Sequence, residues 1–138
     1  MRKVKVAIVE DNALTIRSLV ETIDWTGLGC VICGTATDGQ SGEKLLREQR
    51  PDILLTDIRM PYQDGLAMVE SVRDQLPAMK VIIITGYDHF QYASKAIKLA
   101  VFDYILKPIR NEEVIAAVRK AMGQMQTHEE REAMIAQA

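Results

Sequence analysis

Two adjacent carboxylates, Glu10 and Asp11, directly follow an apolar run at residues 3–9. Side by side they repel each other unless a cation lies between them. A hard divalent ion such as Mg²⁺ takes this kind of oxygen ligation, using few carboxylates and several waters. A blander account makes Asp11 or Asn12 the N-cap of a following helix, which explains one of these residues and not the pair. A third acid, Asp57, follows the run at 53–56 and precedes Ile58-Arg59-Met60-Pro61. A carboxylate can attack phosphorus and become an aspartyl phosphate. Its own charge opposes attack on an anionic donor, and a neighbouring Mg²⁺ would screen that charge. Seen alone, Asp57 is an ordinary loop acid after a strand.

Thr85, ahead of Gly86, offers a hydroxyl that can hydrogen-bond a phosphoryl oxygen, and Gly86 leaves room for close backbone approach. Lys107 offers a point positive charge to the same group. Pro108 behind it allows a cis peptide that would aim the lysine inward. Each signal is weak by itself, because Thr favours strands and surface lysines are common. Together, two acids, an acceptor acid, a hydroxyl and a lysine are the parts needed to bind Mg²⁺ and hold an acyl phosphate. Cys30 and Cys33 have the C-x-x-C spacing of a redox or metal half-site. They lie in a strand-like run, where residues three apart face opposite sides, and are expected to be buried structural thiols.

The elements that must position these residues follow from periodicity. Short apolar runs at 3–9, 30–37, 53–56, 81–85 and 101–106 alternate with helical patterns. Val81-Ile82-Ile83-Ile84 is continuously apolar and β-branched, as a strand covered on both faces must be. Ala13, Ile16, Val20 and Ile23 recur at helical spacing. So do Leu66, Val69, Val72 and Leu76, then Ala93, Ala96, Ile97 and Ala100, then Val114, Val118, Ala121 and Met125. The segment 40–49 carries Leu45-Leu46 in a helix-forming context. Five strands and five helices joined by right-handed crossovers give an α/β fold, a parallel sheet with helices on both faces. In such sheets function gathers at the carboxyl ends of the strands. Glu10, Asp11, Asp57, Thr85 and Lys107 all stand at such ends.

The 138 residues, 48% apolar and 26% charged, suit one globular domain that needs no staples. Residues 1–125 are assigned to it, and the polar, helix-prone stretch 126–138 reads as a continued helix or a linker. A balance of 17 basic and 19 acidic side chains argues against broad electrostatic binding to nucleic acid or an anionic membrane. No stretch approaches the ~20 apolar residues of a membrane span, and no signal-peptide core follows Met1-Arg2-Lys3. A cytoplasmic location is expected.

The ordered set Val9-Glu10-Asp11-Asn12, Leu55-Thr56-Asp57-Ile58-Arg59-Met60-Pro61, Asp64-Gly65, Ile84-Thr85-Gly86 and Tyr104-Ile105-Leu106-Lys107-Pro108 resembles the receiver domains of two-component response regulators. The resemblance covers about residues 3–122. It implies a flavodoxin-like (βα)₅ fold with strand order 2-1-3-4-5. It implies that a sensor histidine kinase donates a phosphoryl group to Asp57. Mg²⁺ would be held by Glu10, Asp11, Asp57 and the backbone carbonyl of Arg59. Thr85 and Lys107 would contact the phosphoryl group, and Tyr104 would swing inward behind Thr85 as the second part of a switch. The surface so changed, formed by the helix carrying Ala96, the fifth strand and the last helix, is where the family leads one to expect a homodimer.

A finer resemblance lies in Ile23-Asp24-Trp25-Thr26-Gly27-Leu28-Gly29 and Thr85-Gly86-Tyr87-Asp88-His89-Phe90-Gln91-Tyr92-Ala93. These look like the subgroup whose longer members end in an AraC-type DNA-binding domain. No such domain is expected within these residues, so an output in transcription would act through a segment outside them. Glu10 replaces an aspartate common in similar sequences, and Ala100 stands where they often place glycine. Trp25 should pack under the first helix–strand connection, and His89 should lie on an exposed helix face. Three rivals remain. A haloacid-dehalogenase-type phosphohydrolase needs a second acid two residues after the nucleophile, where Arg59 stands. A flavodoxin needs a phosphate-cradling loop where Glu10-Asp11-Asn12-Ala13 would repel one. A pseudo-receiver would lack site residues that are all present here. The expectation is thus a phosphoacceptor signalling domain that assists its own phosphorylation and dephosphorylation, rather than an enzyme acting on an external substrate.

Overall fold

The β-branched runs form five parallel strands: β1 (Val4–Val9), β2 (Cys30–Ala36), β3 (Ile53–Thr56), β4 (Lys80–Thr85) and β5 (Asp103–Leu106). The computed structural model describes residues 3–86 and 95–137, with side chains as far as Met125. The expectations for His89 and for the stretch Tyr87 to Ala93 lie outside the described residues. The strands stand in the order β2-β1-β3-β4-β5, as the resemblance implies. Five helices are fully bounded: α1 (Ala13–Thr22), α2 (Trp25–Leu28), α3 (Gly39–Gln49), α4 (Gly65–Val72) and α5 (Asn111–Gln137). Residues 95–98 are also helical.

Alternation along the strands builds two cores, one on each face. Val6, Ile8, Ile53, Leu55, Ile82, Ile84 and Ile105 pack against α1 and α5 through Leu19, Ile23, Val114, Val118 and Ala121. Ala7, Val9, Leu54, Val81 and Ile83 pack against α3 and α4 through Leu46, Leu66, Met68, Val69 and Val72. Cys30 is buried in the first core, as expected, whereas Cys33 is only half-buried against the second. Both thiols are free, so the C-x-x-C spacing makes no pair. The ladder slips between Val6, opposite Ile32, and Ala7, opposite Gly34, which leaves Cys33 as a bulge residue.

Several sequence expectations need correction. α1 turns Ile16, Leu19 and Ile23 inward, at positions i, i+3 and i+7, while Ala13 and Val20 are exposed. The short helix α2 was not expected. It is fixed by Asp24, whose Oδ1 accepts from the Gly27 N–H at 3.0 Å, and by Gly29 at φ +85°. Its Trp25 is buried, and the indole N–H donates to the Leu19 carbonyl at 2.9 Å. Strand β5 begins at Asp103, two residues later than the apolar run suggested.

Around residue 97 the inward residues are Ala96 and Leu99, and Ile97 is 80% exposed. The helical segment ends in a Schellman motif: the Ala100 N–H donates to Ile97 (3.1 Å) and the Val101 N–H to Ala96 (3.0 Å). Ala100 therefore sits at φ +56°. That is the backbone state for which glycine is the favoured residue, and it explains why similar sequences place glycine there. The guanidinium of Arg73 holds this end, donating to the carbonyls of Leu99 (2.9 Å), Ala100 (2.9 Å) and Met79 (2.6 Å). Ala100→Gly should accordingly raise unfolding stability by about 0.5–1 kcal/mol, read as a higher urea midpoint with unchanged slope.

Candidate functional site

Three ladder-like bonds continue past the strand ends and set the level of the site. The Glu10 N–H donates to Ala36 (3.0 Å), the Asp57 N–H to Val9 (3.0 Å) and the Lys107 N–H to Thr85 (2.8 Å). These bonds bring the ends of all five strands to one edge of the sheet. The side chain of Asn12 caps α1, accepting from the N–H groups of Leu14 (2.9 Å) and Thr15 (3.3 Å). Capping therefore falls to Asn12 and does not account for Asp11.

At the centre, the Lys107 ammonium donates to Glu10 Oε1 at 2.7 Å and to Asp57 Oδ2 at 2.9 Å. The peptide after it, Lys107-Pro108, is cis. The other oxygen of Asp57, Oδ1, accepts from the Ile58 N–H at 2.6 Å. Glu10 is 3% exposed and Asp57 5% exposed, whereas Asp11 is open to solvent. One oxygen from each of Glu10, Asp11 and Asp57 lies within 4.8 Å of the others. Beside them runs an open cleft lined by Asp11, Arg59, Met60, Pro61 and Asp64.

The loop from Asp57 to Gly65 is tightly constrained. The Gly65 N–H donates to the Ile58 carbonyl at 2.7 Å, and Asp64 caps α4 by accepting from the Ala67 N–H at 2.7 Å. The Thr56 hydroxyl donates to the Asp57 carbonyl at 2.9 Å. A Cβ at Gly65 would fall 1.9 Å from that carbonyl oxygen. Glycine is therefore a steric requirement here. In the sequence the Asp64-Gly65 pair stands only as part of a motif, although an N-cap acid before a glycine is a legible local signal.

Thr85 is fully buried at the end of β4. Register places Ile83 opposite Tyr104 and Thr85 opposite Leu106. Thr85 and Tyr104 thus share the face of the sheet that α3 and α4 cover, and Tyr104 packs half-buried against that core. Tyr104 stands behind the site and is not part of the acid cluster. Among the described residues, a Cβ at Gly86 would meet nothing within 4 Å.

Charge in the cluster is unbalanced: three carboxylates face one ammonium. Burial pushes the Glu10 carboxyl up to about 7; the Lys107 hydrogen bond opposes this and the nearby Asp57 charge adds to it. For Lys107, burial lowers the ammonium's affinity for its proton, but the bonds to Glu10 and Asp57 outweigh that and leave it raised. A compact set of hard oxygen donors with excess negative charge fits a small divalent cation. Because Glu10 holds its proton more tightly in the folded chain than in the unfolded one, its stabilising contribution is fully present below pH 4.5 and lost as pH rises through about 7. In EDTA, the unfolding free energy of the parent minus that of Glu10→Gln should fall across this window, by about 3 kcal/mol at most. A flat difference would contradict the raised carboxyl.

The family model for the response regulator receiver domain matches residues 6–119. The receiver domain of AraT, a response regulator from Geobacillus stearothermophilus, is 39% identical, with a TM-score of 0.80 over 89% of this chain and 98% of that one. A two component transcriptional regulator AraC from Clostridium phytofermentans is 29% identical, with a TM-score of 0.80 over 94% of this chain and 99% of that one. The transcriptional regulatory protein YesN of Bacillus subtilis is 27% identical over 88% of this chain and 33% of its own length. The chain spans about a quarter to a half of the length of the curated relatives it matches. Receiver domains serve two-component phosphorelay signalling and generally bind Mg²⁺, a function that the acid cluster at these strand ends suits. The sequence motifs, the 2-1-3-4-5 sheet and the family match lead to one conclusion: this chain belongs to the response regulator receiver domain family.

Proposed function

We propose that Asp57 is the phosphoacceptor of this receiver domain and that a sensor histidine kinase is its donor. The observation that carries this reading is the Asp57 carboxylate itself. It is buried at the convergence of the strand ends, with Oδ1 on the Ile58 N–H and Oδ2 on the Lys107 ammonium. In the transfer, a carboxylate oxygen forms the new O–P bond while the P–N bond to the donor imidazole breaks. The electron pair of that bond stays on the imidazole nitrogen.

Glu10, Asp11, Asp57 and the Arg59 carbonyl would hold Mg²⁺, which supplies charge screening for the phosphoryl oxygens. Lys107 neutralises charge at the acceptor and is placed to follow a phosphoryl oxygen. Thr85 would turn its hydroxyl toward that group, and Tyr104 on the same face would move inward behind it. The same residues would speed loss of the phosphoryl group to water, which makes the domain a timed switch.

Residues 1–125 would form the receiver and 126–138 an extension of it. The helix that runs on to Gln137 supports continuity between them. Output would be in transcription, as the similarity to transcriptional regulators such as YesN suggests. A homodimer would form through residues 95–98, β5 and α5. No helix among the described residues is long and apolar enough to cross a membrane. A kinase donor of this class makes the cytoplasm the expected place of work.

Incubation with acetyl phosphate and Mg²⁺ should add one phosphoryl group by intact mass, and EDTA or Asp57→Asn should abolish it. Equal labelling of Asp57→Asn would remove Asp57 from the role. Lys107→Ala should still bind Mg²⁺ yet lose the change in quaternary state on phosphorylation, followed by light scattering. Unchanged phosphorylation-dependent assembly would count against Lys107 as the sensing cation.

A further inference from the structure

Tyr62 has an unfavourable backbone and an unburied side chain. Its φ is +71°, and the Gln63 N–H donates across it to the Pro61 carbonyl at 2.8 Å. A three-residue turn with positive φ at its centre is rare and strained, and for a bulky side chain it is an outlier. The ring gains nothing from the fold in return: Tyr62 is 83% exposed, the most exposed of the large hydrophobic residues described. Glycine or asparagine would suit this backbone better, so the fold gives no reason for a tyrosine here.

The surroundings hold this turn in place. The Gln63 carbonyl approaches Gly39 so closely that a Cβ there would lie 2.0 Å from it, which ties the turn to α3. The Gln63 amide reaches Ser71 on α4 at 3.3 Å. Asp64 caps α4 directly behind, and Met60 and Pro61 directly before line the cleft beside the acids. Strain that neighbouring structure over-determines, next to a reactive group, is the usual mark of a functional position.

The depth of Asp57 says what Tyr62 meets. At 5% exposed, the acceptor can be reached only from its mouth. A donor histidine carried on a protein must bring its own surface down over the lip that residues 59–64 form. A small phosphodonor need not touch that lip. We propose that Tyr62 is a specificity-determining contact for the phosphohistidine-bearing surface of the donor kinase, a residue for transfer from protein and not for the chemistry at Asp57. The proposal rests on the reading of Asp57 as acceptor. An exposed, rigidly presented aromatic is the side-chain type that dominates protein contacts.

The test compares Tyr62→Phe and Tyr62→Asn, the second chosen because asparagine tolerates a positive φ and should keep the turn. The protein donor is the autophosphorylated cytoplasmic region of a histidine kinase selected because it labels the parent chain. Acetyl phosphate is the small donor. Both variants should label with acetyl phosphate at the parent rate. Tyr62→Phe should keep kinase transfer within about twofold, and Tyr62→Asn should lower its kcat/KM about tenfold or more. Parent-like kinase transfer by Tyr62→Asn would overturn the proposal. So would an equal loss with acetyl phosphate, which would place Tyr62 in the service of the acceptor itself. Failure of the Asp57 reading would appear separately, as a parent chain that acetyl phosphate labels elsewhere or not at all.

Discussion

One ammonium shared between two buried carboxylates organises this structure. Lys107 reaches Glu10 and Asp57 together, at 2.7 and 2.9 Å, from the far side of the sheet's carboxyl edge. Buried acids left alone would be neutral or would not be buried, because desolvating a carboxylate costs several kcal/mol. Glu10 shows that cost directly, with its carboxyl pushed up to about 7 even with the lysine present. The arrangement is thus stable enough to form and yet undercompensated. Excess negative charge of this kind is the electrostatic condition for a site that could hold a small divalent cation.

Holding that geometry sets demands on the rest of the chain. The lysine and the two acids come from β5, β1 and β3, so the strands must end at one level. The bonds Asp57 to Val9 and Lys107 to Thr85 keep them there. Both faces of the sheet are buried, which fixes the register of every strand, since a one-residue slip would exchange the two cores. Helix entry is handled by dedicated caps, Asn12 for α1 and Asp64 for α4, so Asp11 and Asp57 stay available.

Legibility in the sequence followed the same physics. Strands covered on both faces are written as continuous apolar runs, and Val81-Ile82-Ile83-Ile84 could hardly be anything else. The site residues were readable because each stands at or within two residues of the end of such a run: Thr85 closes one, Glu10, Asp57 and Lys107 follow directly, and Asp11 comes next. Features set by side-chain contact or by backbone dihedrals were less readable. Nothing in periodicity separates Leu19 from Val20 as the inward residue of α1. Helix α2 is only four residues long and depends on Asp24 and Gly29. The left-handed turns at Tyr62 and Ala100 carry no glycine to announce them. Gly65 was visible as a residue, but its reason, a carbonyl 1.9 Å from where a Cβ would lie, exists only in three dimensions.

The shared lysine also constrains how the domain can respond. An ammonium has three donor hydrogens, and here two acids already occupy it. A phosphoryl group on Asp57 would bring further negative charge to the oxygen side of the same residue and compete with Glu10 for the lysine. Glu10, buried and no longer paired, would then need a proton or a cation. Proton uptake, cation occupancy and the position of Lys107 are therefore one coupled equilibrium. Thr85 is joined to it through the backbone bond from Lys107, and Tyr104 lies two residues along on the neighbouring strand. A charge added at Asp57 thus has a short covalent and hydrogen-bonded route to β4 and β5, on the face away from α1. On the other side of Asp57, the loop locked by Gly65, Asp64 and Gln63 has little freedom to follow. The contrast between a constrained loop that presents Asp57 and a lysine that must choose among anions would give any response to such a charge its direction.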